Sequence, residues 1–218
     1  MFRQKIINIQ DGQMTEPEHD LPPPDLKPFL ISLARLFEEG DEPIAERAAH
    51  ALRLHAASPA EFIPHDLTTH REITDVLAAQ NALPCAEQIL PVMDDLSWHY
   101  SGYDDGRISE NVALKMQTVE IIGSDGMIYD DTCRIGLFAQ TAHTDYVIRS
   151  HPAEELFVQI AGECEWMKGD LPYTLRQPGA RMFHASNQPH ASRTKGSAML
   201  AAWVWAGDLD YGKYHYTG

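Results

Sequence analysis

The texture of the sequence changes once, near residue 95, and that change constrains the fold more than any composition figure. Before it, apolar residues recur at helical spacing. Leu26, Phe29, Leu30, Leu33, Leu36 and Phe37 form one stripe, with Pro22–Pro24 and Asp25 ahead and Gly40 behind as start and stop signals. A second helix is expected from Pro43, an early helical position that tolerates proline, through Ile44, Ala48, Ala51, Leu52 and His55 to the stop at Ser58-Pro59. Thr69-His70-Arg71-Glu72 reads as a capping box ahead of Ile73, Val76 and Leu77.

From about Trp98, short runs rich in β-branched and aromatic residues alternate with turn signals. They are Val112 to Ile122, Ile135 to Gln140, Glu155 to Ala161, Tyr173 to Arg176 and Met199 to Trp205, each followed closely by glycine or proline punctuation or by a short polar run. Many short strands at such intervals predict a sandwich, jelly roll or closed barrel. The expected fold class is therefore α+β, mainly β: a helical N-terminal segment over residues 1–95, packing on a β-barrel over 96–218. No internal repeat stands out, and the Pro22–Pro24 run reads as a linker.

Charge narrows the partners. Seventeen Lys and Arg against thirty-two Asp and Glu give a net charge of −15, which opposes binding to nucleic acid or to anionic lipid surfaces. No run approaches the roughly 20 apolar residues that span a bilayer, and the start turns polar by Asn8, before a signal-peptide core could form. A cytoplasmic protein with a small-molecule substrate and no membrane partner is expected. Cys85, Cys133 and Cys164 are odd in number and form no C-x-x-C pair, so buried free thiols are expected rather than a zinc ribbon or a redox site.

The segment that carries chemistry runs from Tyr146 to Gly162. His151 and Glu155 stand an even number of residues apart, so in extended structure they share a face, with Glu154 opposite. Downstream, Pro178 to His190 offers His190 in a turn-rich strand region. Two imidazoles and one carboxylate can form a three-ligand metal site with positions left open. His184 lies an even step from His190 but across turn signals, so a supporting role is expected for it.

These spacings resemble the cupin superfamily. In its first motif His151, Glu155 and Gly162 match, whereas His143 stands at the glycine and Arg149 at the first histidine. In the second, Gly179 and His190 match, whereas Ala185, Asn187 and Thr194 replace its proline, second glycine and asparagine. A narrower resemblance rests on His151-Pro-Ala-Glu-Glu-Leu-Phe157, Gly162-Glu-Cys-Glu-Trp166, Pro189-His190-Ala-Ser-Arg-Thr194 and the Trp203 to Leu209 tail. Together these are similar to the cupin-type dimethylsulfoniopropionate lyases of marine bacteria.

That resemblance implies β-elimination of dimethyl sulfide from a zwitterionic substrate, leaving acrylate. It implies one divalent transition metal, such as zinc, iron or manganese, held by His151, Glu155 and His190. It maps Tyr146 onto a family tyrosine, and this chain has Phe157 where the family carries a catalytic tyrosine. Tyr146 is then the candidate base; the alternative is a buried tyrosine whose hydroxyl hydrogen-bonds within the barrel. Phe157 and Trp203 are candidates to hold a sulfonium on their ring faces, although core packing is the preferred account of Trp203 and Trp205. Arg149 either grips a substrate carboxylate or pairs with a neighbouring acid. Two alternatives keep the fold: a cupin isomerase or dioxygenase acting on another small carboxylate, and a binding cupin without turnover. A homodimer is compatible with either. No G-x-S-x-G, G-x-G-x-x-G or P-loop element is present.

Overall fold

The computed structural model describes residues 25–61, 67, 69–101 and 108–217. The Pro22–Pro24 run lies outside the described residues, as do His19 and His65. The helices are α1 (Lys27–Glu38), α2 (Pro43–Leu54), α3 (Arg71–Leu77), α4 (Ala86–Ile89) and α5 (Glu110–Ala113). The first strands are β1 (His99–Tyr100), β2 (Met116–Gly123), β3 (Ile128–Tyr129), β4 (Arg134–Gln140), β5 (Thr144–Ser150) and β6 (Ala153–Gly162). After them come β7 (Cys164–Lys168), β8 (Thr174–Arg176), β9 (Arg181–His184), β10 (His190–Thr194), β11 (Met199–Gly207) and β12 (His215–Tyr216).

The strands form two sheets. One has seven strands, in the order β1-β2-β4-β11-β6-β9 with β3 beside β2; the other has five, in the order β12-β5-β10-β7-β8. Neighbours are antiparallel except β2 and β3. The barrel of the sequence expectation is thus a two-sheet jelly roll, and no pairing among the described residues closes both sheets into one ring.

Period-two alternation sets two layers. On β11, Leu200, Ala202, Val204 and Ala206 join Leu33, Phe37, Ile44 and Leu52 of α1 and α2 in one buried cluster. On the other face of the same strand, Met199 and Ala201 join Phe138, Tyr146, Phe157 and Trp166 between the sheets. A strand covered on both faces carries few polar residues, which is why β11 reads as a nearly unbroken apolar run. Arg181 of β9 ties the helices down. Its guanidinium donates to Glu42 at 2.8 and 3.0 Å and to the carbonyls of Leu36 and Phe37 at the end of α1.

Two local expectations change. Val112 falls in α5, and β2 begins only at Met116. The residue capping α3 is His70, with no side-chain cap, and Glu72 instead accepts from the Ala142 amide at 2.9 Å. Its carboxylate serves the β4–β5 loop rather than its own helix start.

Candidate metal centre and cavity

Between β5 and β6 the chain passes from the five-stranded to the seven-stranded sheet, and His151-Pro152 makes the bend. His151 and Glu155 therefore meet across a corner rather than along one strand face as parity predicts, while Glu154 is exposed as parity predicts. His190 opens β10 directly opposite Arg149 of β5. The Asn187 amide donates to the His151 carbonyl at 2.7 Å, which draws the turn before His190 onto the same corner. Asn187 takes φ +59° and His143 φ +54°, left-handed conformations at two positions where the cupin motifs carry glycine.

Four buried groups converge. Glu155 Oε2 lies 3.0 Å from His190 Nε2, 3.4 Å from His151 Nε2 and 3.6 Å from His184 Nδ1. The ligand atoms of His151, Glu155 and His190 all lie within 4.8 Å of one another. The remaining nitrogens fix the tautomers. His151 Nδ1 donates to the Ala153 carbonyl at 3.0 Å and His190 Nδ1 to the Gln188 carbonyl at 2.8 Å, so both Nε2 atoms present lone pairs to the centre. Glu155 Oε1 accepts from the Trp205 indole at 2.6 Å.

The electrostatics agree with a cation-ready site. Burial, reinforced by the Arg149 charge, pushes His190 down to about 3, so it stays neutral. Burial alone would raise the Glu155 carboxyl, but His151, His184 and His190 together hold it well below its usual range. His151 Nε2, Glu155 Oε2 and His190 Nε2 have no hydrogen-bond partner although buried. Orphaned buried donors and acceptors are costly, and a carboxylate with two imidazole lone pairs fits a divalent transition metal. The same cluster leaves His184 Nδ1 orphaned. The His184 ring lies flat on His190, centroids 4.2 Å apart and planes 13° apart, an arrangement in which both rings cannot point edge-on at one ion. His184 is thus a support.

A cavity of about 400 Å³ opens from Glu155, walled by Phe138, Tyr146, Arg149, Phe157 and Trp203. Arg149 is only 1% exposed, and neither terminal nitrogen has a partner. Its guanidinium lies 3.9 Å from the Tyr146 ring centroid and 6.0 Å from that of Phe157. Trp203 lies across β4 above Gly136, where an added Cβ would meet its indole at 2.7 Å. Every site residue expected from the sequence is therefore at this centre or on this cavity wall. The sequence reading missed the Trp205 bond to Glu155 and a pair of tyrosines, Tyr214 and Tyr216, although the alternation Tyr214-His-Tyr216 was a strand signal. The three cysteines are buried, and burial pushes their thiols up to about 11 for Cys133 and about 12 for Cys85 and Cys164.

A jelly roll holding a buried His-Glu-His cluster at the mouth of an aromatic cavity is a cupin-type protein. Residues 42–201 match the model of the dimethylsulfoniopropionate (DMSP) lyase family, and the chain belongs to that family. The DMSP lyase DddQ of Ruegeria pomeroyi is 31% identical over 108 residues, 50% of this chain. That alignment spans about half of the relative's length, 54%. The crystal structure of DddQ from the same organism superposes with a TM-score of 0.58 at 23% identity, covering 85% of this chain and 96% of that one. A structure from the work on the DMSP lyases RdDddP and RnDddQII gives 0.63 at 19% identity, covering 88% and 97%. At these identities the structural likeness is one of fold.

Proposed function

We propose that the protein is a cytoplasmic carbon–sulfur lyase that cleaves dimethylsulfoniopropionate to dimethyl sulfide and acrylate. The observation that carries the reading is the buried, orphaned His151–Glu155–His190 cluster opening into a cavity with one unpartnered cation, Arg149, in a chain of the DMSP lyase family.

His151, Glu155 and His190 would hold one divalent ion, with zinc, iron and manganese all suited to two nitrogens and one oxygen. The chemistry such an ion supplies when bound is Lewis acidity, which makes the proton next to a carboxylate easier to remove. Arg149 binds the substrate carboxylate through its two free terminal nitrogens, a geometry that a guanidinium offers and an ammonium does not. The ring faces of Phe157 and Trp203 hold the sulfonium. Tyr146 Oη takes the proton from the carbon next to the carboxylate. Its electron pair forms the double bond, the carbon–sulfur bond breaks, and dimethyl sulfide leaves with the sulfur electrons.

Headspace detection of dimethyl sulfide tests this. Metal-reconstituted protein should release it, and His190→Ala should lose both metal and release. Undiminished release from the variant would refute the metal-lyase reading. No release from the wild type, together with tight carboxylate binding, would favour a binding cupin.

A further inference from the structure

The chain after β11 crosses from the seven-stranded sheet to the free edge of the five-stranded one, where β12 pairs with β5 and sets Tyr216 opposite Arg149. This crossing brings Tyr211 and Tyr214 to the cavity lining and sets Tyr216 beside Tyr146. It lies beyond residues 42–201, so the family match assigns these side chains nothing.

The Tyr146 hydroxyl is their meeting point. Tyr214 Oη lies 3.1 Å from Tyr146 Oη, and Tyr216 Oη lies 3.4 Å from it. The Tyr214 ring is fixed by its stack on His151, centroids 5.1 Å apart and planes 28° apart, and by Trp205 at 5.8 Å and 20°. It packs on the Tyr216 ring at 4.9 Å. Tyr146 and Tyr214 are buried, whereas Tyr216 is half-buried and reaches toward solvent. A phenolic oxygen accepts through its lone pairs, so Tyr146 can receive from both neighbours at once. Tyr214 and Tyr216 each carry one O–H to give.

We propose that Tyr214 and Tyr216 are positioning residues whose hydroxyls donate to Tyr146 Oη and hold it as the proton acceptor of the elimination, with Tyr216 also serving as the proton's exit. This rests on the lyase reading above. Two lone pairs of the deprotonated Tyr146 oxygen accept from the neighbours, and the third takes the substrate proton. While that proton bonds to Oη, its former C–H electrons become the double bond and dimethyl sulfide departs. Tyr146 then passes its proton to Tyr216, whose own proton goes to water at the mouth, and the trio is reset.

Steady-state dimethyl sulfide release by metal-loaded wild type, Tyr214→Phe and Tyr216→Phe is the test. Each variant keeps its ring and loses one donor. For each, kcat should fall about tenfold to a hundredfold, the range for losing one hydrogen bond to a charged group, while KM, metal content and melting temperature hold. Wild-type kcat in both variants, or a raised KM with kcat intact, overturns the proposal and leaves the lyase reading standing. No release from the wild type overturns both. If Tyr214→Phe does not fold, Tyr216→Phe on the edge strand decides alone: a kcat loss at constant KM supports the relay, and its absence refutes it.

Discussion

Replacing Arg149 with methionine should stabilise the metal-free protein while abolishing carboxylate binding. The guanidinium is 1% exposed and its two terminal nitrogens have no partners, so the folded protein carries an ion removed from water with its hydrogen bonds unmade. After relaxation such burial costs several kcal/mol. The Tyr146 face, 3.9 Å away, returns about 2 kcal/mol, and attraction to Glu155 returns part of the rest. A net cost of about 1–3 kcal/mol remains, and methionine removes it with little change in packed length. In a chain of 218 residues each kcal/mol moves the melting temperature by roughly 2–4 °C, so Arg149→Met should melt roughly 2–12 °C higher. Thermal unfolding by circular dichroism, with and without acrylate, is the assay. Acrylate should raise the wild-type melting temperature and leave that of the variant unmoved. A variant destabilised by more than about 1 kcal/mol would show that the guanidinium serves the fold, and the anion-binding role would be refuted.

Trp205→Phe removes the 2.6 Å indole bond to Glu155 and should weaken metal affinity about tenfold to a hundredfold; competition against a chelator reads it, and unchanged affinity counts against the orienting role. Acid should destabilise the metal-free protein earlier than carboxylates alone would allow. His190 is held near 3 when folded and titrates at about 6.5 when unfolded, so its contribution is complete above that value and is lost as pH falls below it. The slope is about 1.4 kcal/mol per pH unit, or about 2 kcal/mol by pH 5. The depressed Glu155 acts lower, with its contribution present above its unfolded value and lost as pH falls through its folded one. Urea midpoints at pH 7, 6 and 5 measure this. A flat profile, or an equal slope in His190→Gln, refutes the assignment to His190.

How far the sequence carries can be judged position by position. The helices α1 and α2 were legible because their apolar stripes and proline starts are local. The long strands β4, β6 and β11 were legible as apolar runs, since both faces are covered. Glu72 was misread because a nearer competitor, its own helix start, looked sufficient; the Ala142 amide that claims it is seventy residues away. The metal cluster was found by spacing, yet for a reason that the structure revises. His151 and Glu155 meet because the chain turns a corner between sheets, a long-range fact to which parity is blind. His143 and Asn187 show the converse: the motif's spacing demanded left-handed backbone there, and two non-glycine residues supply it.

Arg149 and Phe157 both line the cavity, guanidinium and ring centroid 6.0 Å apart, and their departures from the family pattern have opposite electrostatic sense. A histidine position has gained a permanent cation, and a tyrosine position has lost a hydroxyl. The cation lies over the ring of Tyr146, 3.9 Å from its centroid. On the proposed reading the proton acceptor that Phe157 cannot supply is Tyr146, which Tyr214 and Tyr216 surround. On this account the two departures form one unit. Restoring the family residues singly should harm the enzyme: Phe157→Tyr adds bulk to a ring already packed on Trp166 and His184, and Arg149→His removes the permanent charge above Tyr146. If either reversion alone raised kcat, the coupling between the two walls would be disproved.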